Sequence, residues 1–175
     1  MAIGNGYNDR FIIMDASCIM NLYASRRIED ILASIPKAYI AEYYTQQEVS
    51  VQDLTPIVKN GLLTPTNILA GDEEIELVNY AATAGNDSLA ATCAIGINRG
   101  WAIATDDGMA ARLLSQGTFQ HQIISTPDII KLWIDTTVPT RVQIRDVLLN
   151  IQSASKYLPP KGHLLQQWWR DFTRM

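Results

Sequence analysis

Residues 12–22 read Ile12-Ile13-Met14-Asp15-Ala16-Ser17-Cys18-Ile19-Met20-Asn21-Leu22. With Phe11 in front, the run 11–14 is short and wholly apolar, the pattern of a strand buried on both faces. A helical pattern over 16–24 follows with no linker, carrying Ile19, Leu22 and Tyr23 on one face. A buried strand running straight into a helix is the opening unit of a parallel sheet covered by helices. Asp15 stands where that strand ends.

The same alternation continues along the chain. A second helical pattern spans 26–35 on Ile28, Ile31, Leu32 and Ile35, and Ala38-Tyr39-Ile40-Ala41 reads as a second strand entered after Pro36. A helix is expected from Thr45, and 51–70, with Pro56, Gly61 and Pro65, reads as loop with a short extended piece. Residues 72–83 open on Asp72-Glu73-Glu74, acids suited to a helix N-terminus, and Gly85 ends them. Asn86 begins another helix through Ile97, stopped by Gly100; Trp101-Ala102-Ile103-Ala104 and Gln122-Ile123-Ile124 are two further strands. Thr126-Pro127-Asp128 is a helix start with Thr126 as N-cap. Helices over about 128–135, 140–155 and 162–173 complete the chain, the middle one opened by the capping box of Thr140 and Gln143. The reading is α/β, with a parallel sheet covered on both faces. No repeat, low-complexity tract or long linker interrupts the 175 residues, so one domain is expected, with a core at about 11–135 and a helical extension over 138–175.

Composition narrows the class. A hydrophobic fraction of 47% and a charged fraction of 18% are those of a folded protein. No apolar run approaches a bilayer span, and the first ten residues lack the pattern of a signal peptide, so no membrane partner and a cytoplasmic location are expected. The two cysteines, Cys18 and Cys93, sit in apolar helical patterns, and with the two histidines at 121 and 163 they make a Cys/His metal site implausible. The net charge of −4 argues against a general nucleic-acid coat, but its distribution is uneven. Residues 1–99 hold six Lys/Arg against twelve Asp/Glu, whereas 138–175 hold six against two.

Four separated acids carry the functional reading. Asp15 follows the first strand and Asp106-Asp107 the third, so both reach the carboxyl edge of the sheet, where ligands of open parallel sheets bind. Glu48 lies in the helix after the second strand, and Asp87 opens the helix before the third. Carboxylates converging on one crevice repel one another and call for a cation; an all-oxygen set suits Mg²⁺ or Mn²⁺. Such a metal activates water and neutralises a phosphodiester transition state. Each acid also has a structural explanation: Asp15 or Ser17 as a helix cap, Glu48 in a capping box with Thr45, Asp87 at a helix N-terminus, and Asp106-Asp107-Gly108 as a turn.

Segment 12–22 resembles the opening motif of PIN-domain ribonucleases: an apolar strand, Asp, any residue, Ser or Thr, then apolar residues. Gln47-Glu48-Val49 resembles the family's mid-helix glutamate, Gly85-Asn86-Asp87-Ser88-Leu89-Ala90-Ala91 its third motif, and Ala102-Ile103-Ala104-Thr105-Asp106-Asp107 its fourth, a strand followed by Thr-x-Asp. The acids are spaced by 33, 39 and 20 residues. The resemblance implies a three-layer α/β/α sandwich and Mg²⁺- or Mn²⁺-dependent RNA cleavage, most often by the VapC-like toxin of a toxin–antitoxin pair. RNA would then be the substrate, an antitoxin protein the partner, and a homodimer a family expectation. It further implies Asp15, Asp87 and Asp107 as metal ligands, with Glu48 a ligand or support to these and all four catalytic. Ser17 and Thr105 would be hydrogen-bonding supports, and Asp106 would face solvent or act through a metal-bound water.

Two other strand–Asp families fit less well. A haloacid-dehalogenase phosphatase expects a second Asp where Ser17 stands, and a response-regulator receiver expects an early acidic pair and a later lysine. The alternative from a different class is a PIN-like module that binds RNA or protein without cleaving. In the extension, Arg141 and Arg145 lie one turn apart on a helix, with Lys156, Lys161, Arg170, Arg174 and the aromatics Trp168, Trp169 and Phe172 beyond. Arg141 and Arg145 are candidates for RNA phosphates or an acidic partner segment; the competing reading is a helix docked by its tryptophans with its basic residues in water.

Overall fold

The computed structural model describes residues 11–42, 53–114 and 123–174. Five strands form one sheet: β1 (Ile12–Met14), β2 (Ala38–Ala41), β3 (Thr64–Thr66), β4 (Ala102–Ala104) and β5 (Ile123–Ile124). All pairings are parallel and the order is β3-β2-β1-β4-β5. The chain therefore builds outward from β1 to β3, then crosses back to place β4 on the other side of β1. Neighbouring connections leave in opposite directions at the β1/β4 seam, the position at which open parallel sheets form a ligand crevice beyond the strands' carboxyl ends.

The helices are α1 (Ala16–Ala24), α2 (Ile28–Leu32), α3 (Thr55–Lys59), α4 (Asp72–Ala84), α5 (Asp87–Asn98), α6 (Gly108–Leu114), α7 (Thr126–Thr137), α8 (Arg141–Ala154) and α9 (Gln166–Thr173). Side-chain alternation along the strands splits the core in two. Ile12, Met14, Ala38, Ile40, Ala102, Ala104 and Ile124 pack with residues of α1, α2, α7, α8 and α9. Ile13, Ala41 and Ile103 pack on the other face with Leu89, Ala91, Cys93 and Ile95 of α5 and with Ala110 and Leu114 of α6. Both faces are covered, as the unbroken apolar strands predict, and the arrangement is compatible with a three-layer sandwich. The approach of α5 is close: a Cβ at Gly96 would lie 2.4 Å from Cγ1 of Ile103 and 3.3 Å from Cγ2 of Ile13.

Several boundaries differ from the sequence reading. The stretch 51–70 holds a short helix, α3, with Pro56 in its first turn, and a strand, β3. β3 lies at the sheet edge, where Pro65 costs no ladder hydrogen bond. The second helix covers 28–32 rather than 26–35, because Arg26 adopts φ 61° and breaks the chain direction. Helix α7 starts earlier than expected: Ser125, not Thr126, is the N-cap, with its amide (2.9 Å) and hydroxyl (2.5 Å) both donating to Asp128 Oδ2. That shift frees the Thr126 side chain for another partner. Glu73 does more than favour a helix start. It is buried, pairs with Arg99 at 2.7 Å and accepts from the Leu69 amide, tying α4 to the end of α5. The helix expected from Thr45, and Gln122, lie outside the described residues.

The extension is part of the core. Ile144, Val147, Leu148 and Ile151 form one buried stripe of α8, and Trp169 of α9 is fully buried in the same cluster as β1 and β4. Burying each such side chain contributes about 1.5–3 kcal/mol. Asn150 adds a bond from its side-chain amide to the carbonyl of Ser25, the C-cap of α1, at 3.3 Å. Among the described residues no helix is long and apolar enough to cross a membrane.

Candidate active site

The crevice is assembled from the two strand ends that flank the seam. The Asp15 amide donates to Ala104 O at 2.9 Å, the last rung between β1 and β4. Asp15 then leaves the strand in an extended conformation and becomes the N-cap of α1. Its Oδ1 accepts the Ser17 amide at 2.6 Å. Its Oδ2 accepts two hydroxyls, Ser17 Oγ at 3.0 Å and Thr105 Oγ1.

Each hydroxyl is in turn fixed by the far strand. Ser17 Oγ accepts from the Asp106 amide at 3.1 Å, and Thr105 Oγ1 from the Asp107 amide at 3.1 Å. Ser17 and Thr105 thus both hydrogen-bond the Asp15 carboxylate. Asp15 is only 3% exposed, and burial pushes its carboxyl above the ordinary range; the Thr105 and Ser17 bonds oppose that shift and the Asp106 charge adds to it.

The neighbours Asp106 and Asp107 have different roles. Thr105 is still extended, its amide donating to Ile124 O at 2.9 Å, so 106 points opposite to 105. The expectation that Asp106 faces solvent is corrected, because α1, α7 and the extension surround that side. Its Oδ1 accepts the Thr126 amide at 3.0 Å and the Tyr157 hydroxyl at 2.8 Å. Its Oδ2 accepts Asn21 Nδ2 at 2.8 Å and the Thr126 hydroxyl. Four donors use the roughly four acceptor positions of a carboxylate, so Asp106 has none left for a metal. Asp107 spends one oxygen on the Met109 amide at 2.8 Å, capping α6, and is half-buried at the crevice.

Asp87 opens α5 with Asn86 as its cap and is exposed. Farther along α5, Cys93 is buried and its thiol is pushed up to about 12, by burial first and then by the charges of Asp15 and Asp107. Those two carboxylates therefore act on one point of α5, while the thiol itself is inert. Glu48 lies outside the described residues.

A divalent cation is tested by this donor set. The oxygen-only donor type suits Mg²⁺ or Mn²⁺, with acceptor capacity left on Asp107 Oδ2 and on Asp15 Oδ1, but the described acids Asp15, Asp87 and Asp107 are not brought together as a metal-holding group. Among the described residues no three of His, Cys, Asp or Glu stand close enough together to hold a metal ion.

Sequence reasoning missed Asn21, Thr126 and Tyr157. Asn21 carried a signal, as a polar residue on the buried side of α1, only 5% exposed between Cys18 and Leu22. Thr126 was hidden by its reading as a cap. Tyr157 is 51 residues from Asp106 and no local pattern marks it.

A second polar grouping is structural. Ser125 Oγ lies 2.9 Å from His163 Nε2, and Asp128 Oδ2 lies 3.7 Å from that nitrogen. His163 Nδ1 accepts the Leu165 amide at 3.1 Å, so in the neutral ring the proton is on Nε2 and points at Ser125. The imidazole cannot take the serine proton, and the trio ties the segment after α8 to α7.

Arg141 and Arg145 are exposed on α8. The Arg141 guanidinium sits 5.2 Å from the Phe172 ring centre, and Phe172 packs on Trp168 at 5.4 Å. The aromatics of α9 therefore dock inward, as the second reading of that helix expects, and the basic side chains form its outer rim. If that rim carries RNA phosphates, Arg141→Gln with Arg145→Gln should weaken RNA binding and flatten its log–log salt dependence by about two units of slope. Binding measured between 50 and 200 mM salt decides it; an unchanged slope leaves these arginines as solvated surface.

No family model matches the chain, and neither a curated protein nor a solved structure matches it.

Proposed function

We propose that the chain is a divalent-metal-dependent ribonuclease, and that it serves as the toxin of a toxin–antitoxin pair with RNA as substrate and an antitoxin protein as partner. The observation that supports this is the seam itself. Asp15, Ser17 and Thr105 are hydrogen-bonded into one unit at the carboxyl ends of β1 and β4, with Asp107 leaving the same turn. This is where a parallel α/β sheet binds ligands, and the residues are those of the PIN-type pattern.

In this reading Asp15, Asp87 and Asp107, with Glu48, would hold Mg²⁺ or Mn²⁺, and the three described carboxylates would have to draw closer together to do so, because no three acids among the described residues stand close enough for a metal ion. When bound, the cation supplies an acidified water and neutralises charge on the phosphodiester. The protein's part is orientation. Ser17 and Thr105 fix both oxygens of Asp15 and keep it from rotating, while the Met109 amide fixes Asp107. Asp106 stays outside the chemistry and holds the turn.

A binding module without cleavage is the second reading. It is favoured by the buried, upward-shifted Asp15 carboxyl, which already serves as a helix cap. Cleavage of single-stranded RNA in Mn²⁺, abolished by EDTA and restored by added Mn²⁺, separates the two. A stability test complements it. A cation bound only by the native state raises stability by about 2.7 kcal/mol at a hundred times its Kd. Millimolar Mn²⁺ should therefore raise the melting temperature, and raise it less in Asp87→Asn. Superimposable melting curves with and without Mn²⁺ would remove the metal site.

A further inference from the structure

We propose that Tyr157, in the segment after α8, is a positioning residue for the carboxylate crevice, so that the C-terminal extension sets the geometry of the β4 turn. The inference rests on the ribonuclease reading for its consequence, but on hydrogen bonds and packing for its content. The Tyr157 hydroxyl donates to Asp106 Oδ1 at 2.8 Å. From Asp106 the path to the candidate ligand is short: its amide donates to Ser17 Oγ at 3.1 Å, and Ser17 Oγ donates to Asp15 Oδ2 at 3.0 Å.

The tyrosine is itself held firmly. Its ring meets Trp169 edge-on with centroids 5.8 Å apart, and Trp169 is fully buried. The segment that carries it is tied again at His163, which bonds Ser125 at the start of α7. Burial and the neighbouring Asp106 charge push the phenol upward, away from ionisation, so it remains a donor. The segment after α8 thus meets Asp106 through the Tyr157 hydroxyl.

The arrangement has a physical rationale. A turn between a strand and a helix is free to rock about its backbone, and an error of about 1 Å at a ligand costs roughly a hundredfold in rate. Thr126 and Asn21 hold Asp106 from α7 and α1. Tyr157 closes the remaining side, from an element that does not border the strands' carboxyl ends in sequence.

Tyr157→Phe removes the hydroxyl and keeps the ring against Trp169. Single-turnover cleavage of RNA at saturating Mn²⁺ should fall about 5- to 20-fold, with tryptophan fluorescence unchanged. Ser17→Ala lies on the same path, so the double variant should be little worse than the poorer single one. Asn150→Ala, which loosens α8 from α1 without touching Asp106, is the control for general destabilisation and should stay within about twofold of wild type. Wild-type turnover in Tyr157→Phe, or an equal loss in Asn150→Ala, overturns the proposal. If wild type itself does not cleave, the ribonuclease reading falls. Metal-free melting then judges the contact: Tyr157→Phe and Asp106→Asn should lose less together than the sum of their separate losses, and strictly additive losses overturn it.

Discussion

Asp15→Asn is expected to cleave RNA at least about a hundredfold more slowly than wild type, and yet to melt no lower at neutral pH in EDTA. The first part follows, on the proposed ribonuclease function, from removing a ligand charge, a loss of roughly 2.7 kcal/mol in transition-state stabilisation. The second follows from burial. Asp15 is 3% exposed and its carboxyl is held above the ordinary value of 3.8, so the folded chain binds that proton more tightly than the unfolded chain does. Stability from this group is fully present below 3.8 and is lost as pH rises through the folded-state value. The amide titrates nowhere. It keeps the bond from the Ser17 amide, while the hydroxyls of Ser17 and Thr105 turn to accept from its nitrogen. The melting difference between variant and wild type should thus move in the variant's favour from about pH 4 upward and then level off. Melting in EDTA between pH 4 and 8 checks this. A clear loss at pH 7 would make Asp15 a charged helix cap first and a ligand second.

Asp106→Asn should behave in the opposite way and lose stability on the order of 3 kcal/mol, because a half-buried, charge-assisted network is left with a mismatched donor. The four donors cannot all be satisfied by an amide. With its oxygen toward the Thr126 amide, its nitrogen meets Asn21 Nδ2; flipped, it meets the Thr126 amide instead. For a chain of this length such a loss lowers the melting temperature by roughly 6–12 °C. Asp107→Asn gives up only the charge of a half-buried cap and should melt near wild type, while cutting turnover at least about tenfold more than Asp106→Asn. Melting curves together with single-turnover cleavage at saturating Mn²⁺ read both effects. A larger turnover defect in a stable Asp106→Asn would reverse the roles of the two neighbours.

The reach of local sequence is clear from these two residues. Strand alternation places 106 and 107 on opposite sides, since it depends only on the backbone remaining extended at Thr105. What lies on the far side of Asp106 has no local signal. Its partners come from positions 21, 126 and 157, brought together by α1 and α7 and by an extension that buries Trp169. The N-cap of α7 shows the same limit on a smaller scale. Ser125 and Thr126 are equally good caps by composition, and the Asp106 carboxylate engages the second, leaving the first for Asp128.

By itself the sequence determined the alternation of buried strands and helices, the strands around residues 12, 38, 102 and 123, and the position of Asp15 and Asp107 at strand ends. Those features rest on apolar periodicity and chain connectivity, which are properties of neighbours. Tertiary structure alone decided the strand order that puts β4 beside β1, the saturation of Asp106, the burial of Asp15 and the joining of the extension to the core. Each of these depends on which surfaces meet across tens of residues, and the free energy that selects them comes from burial shared among distant elements rather than from any one segment.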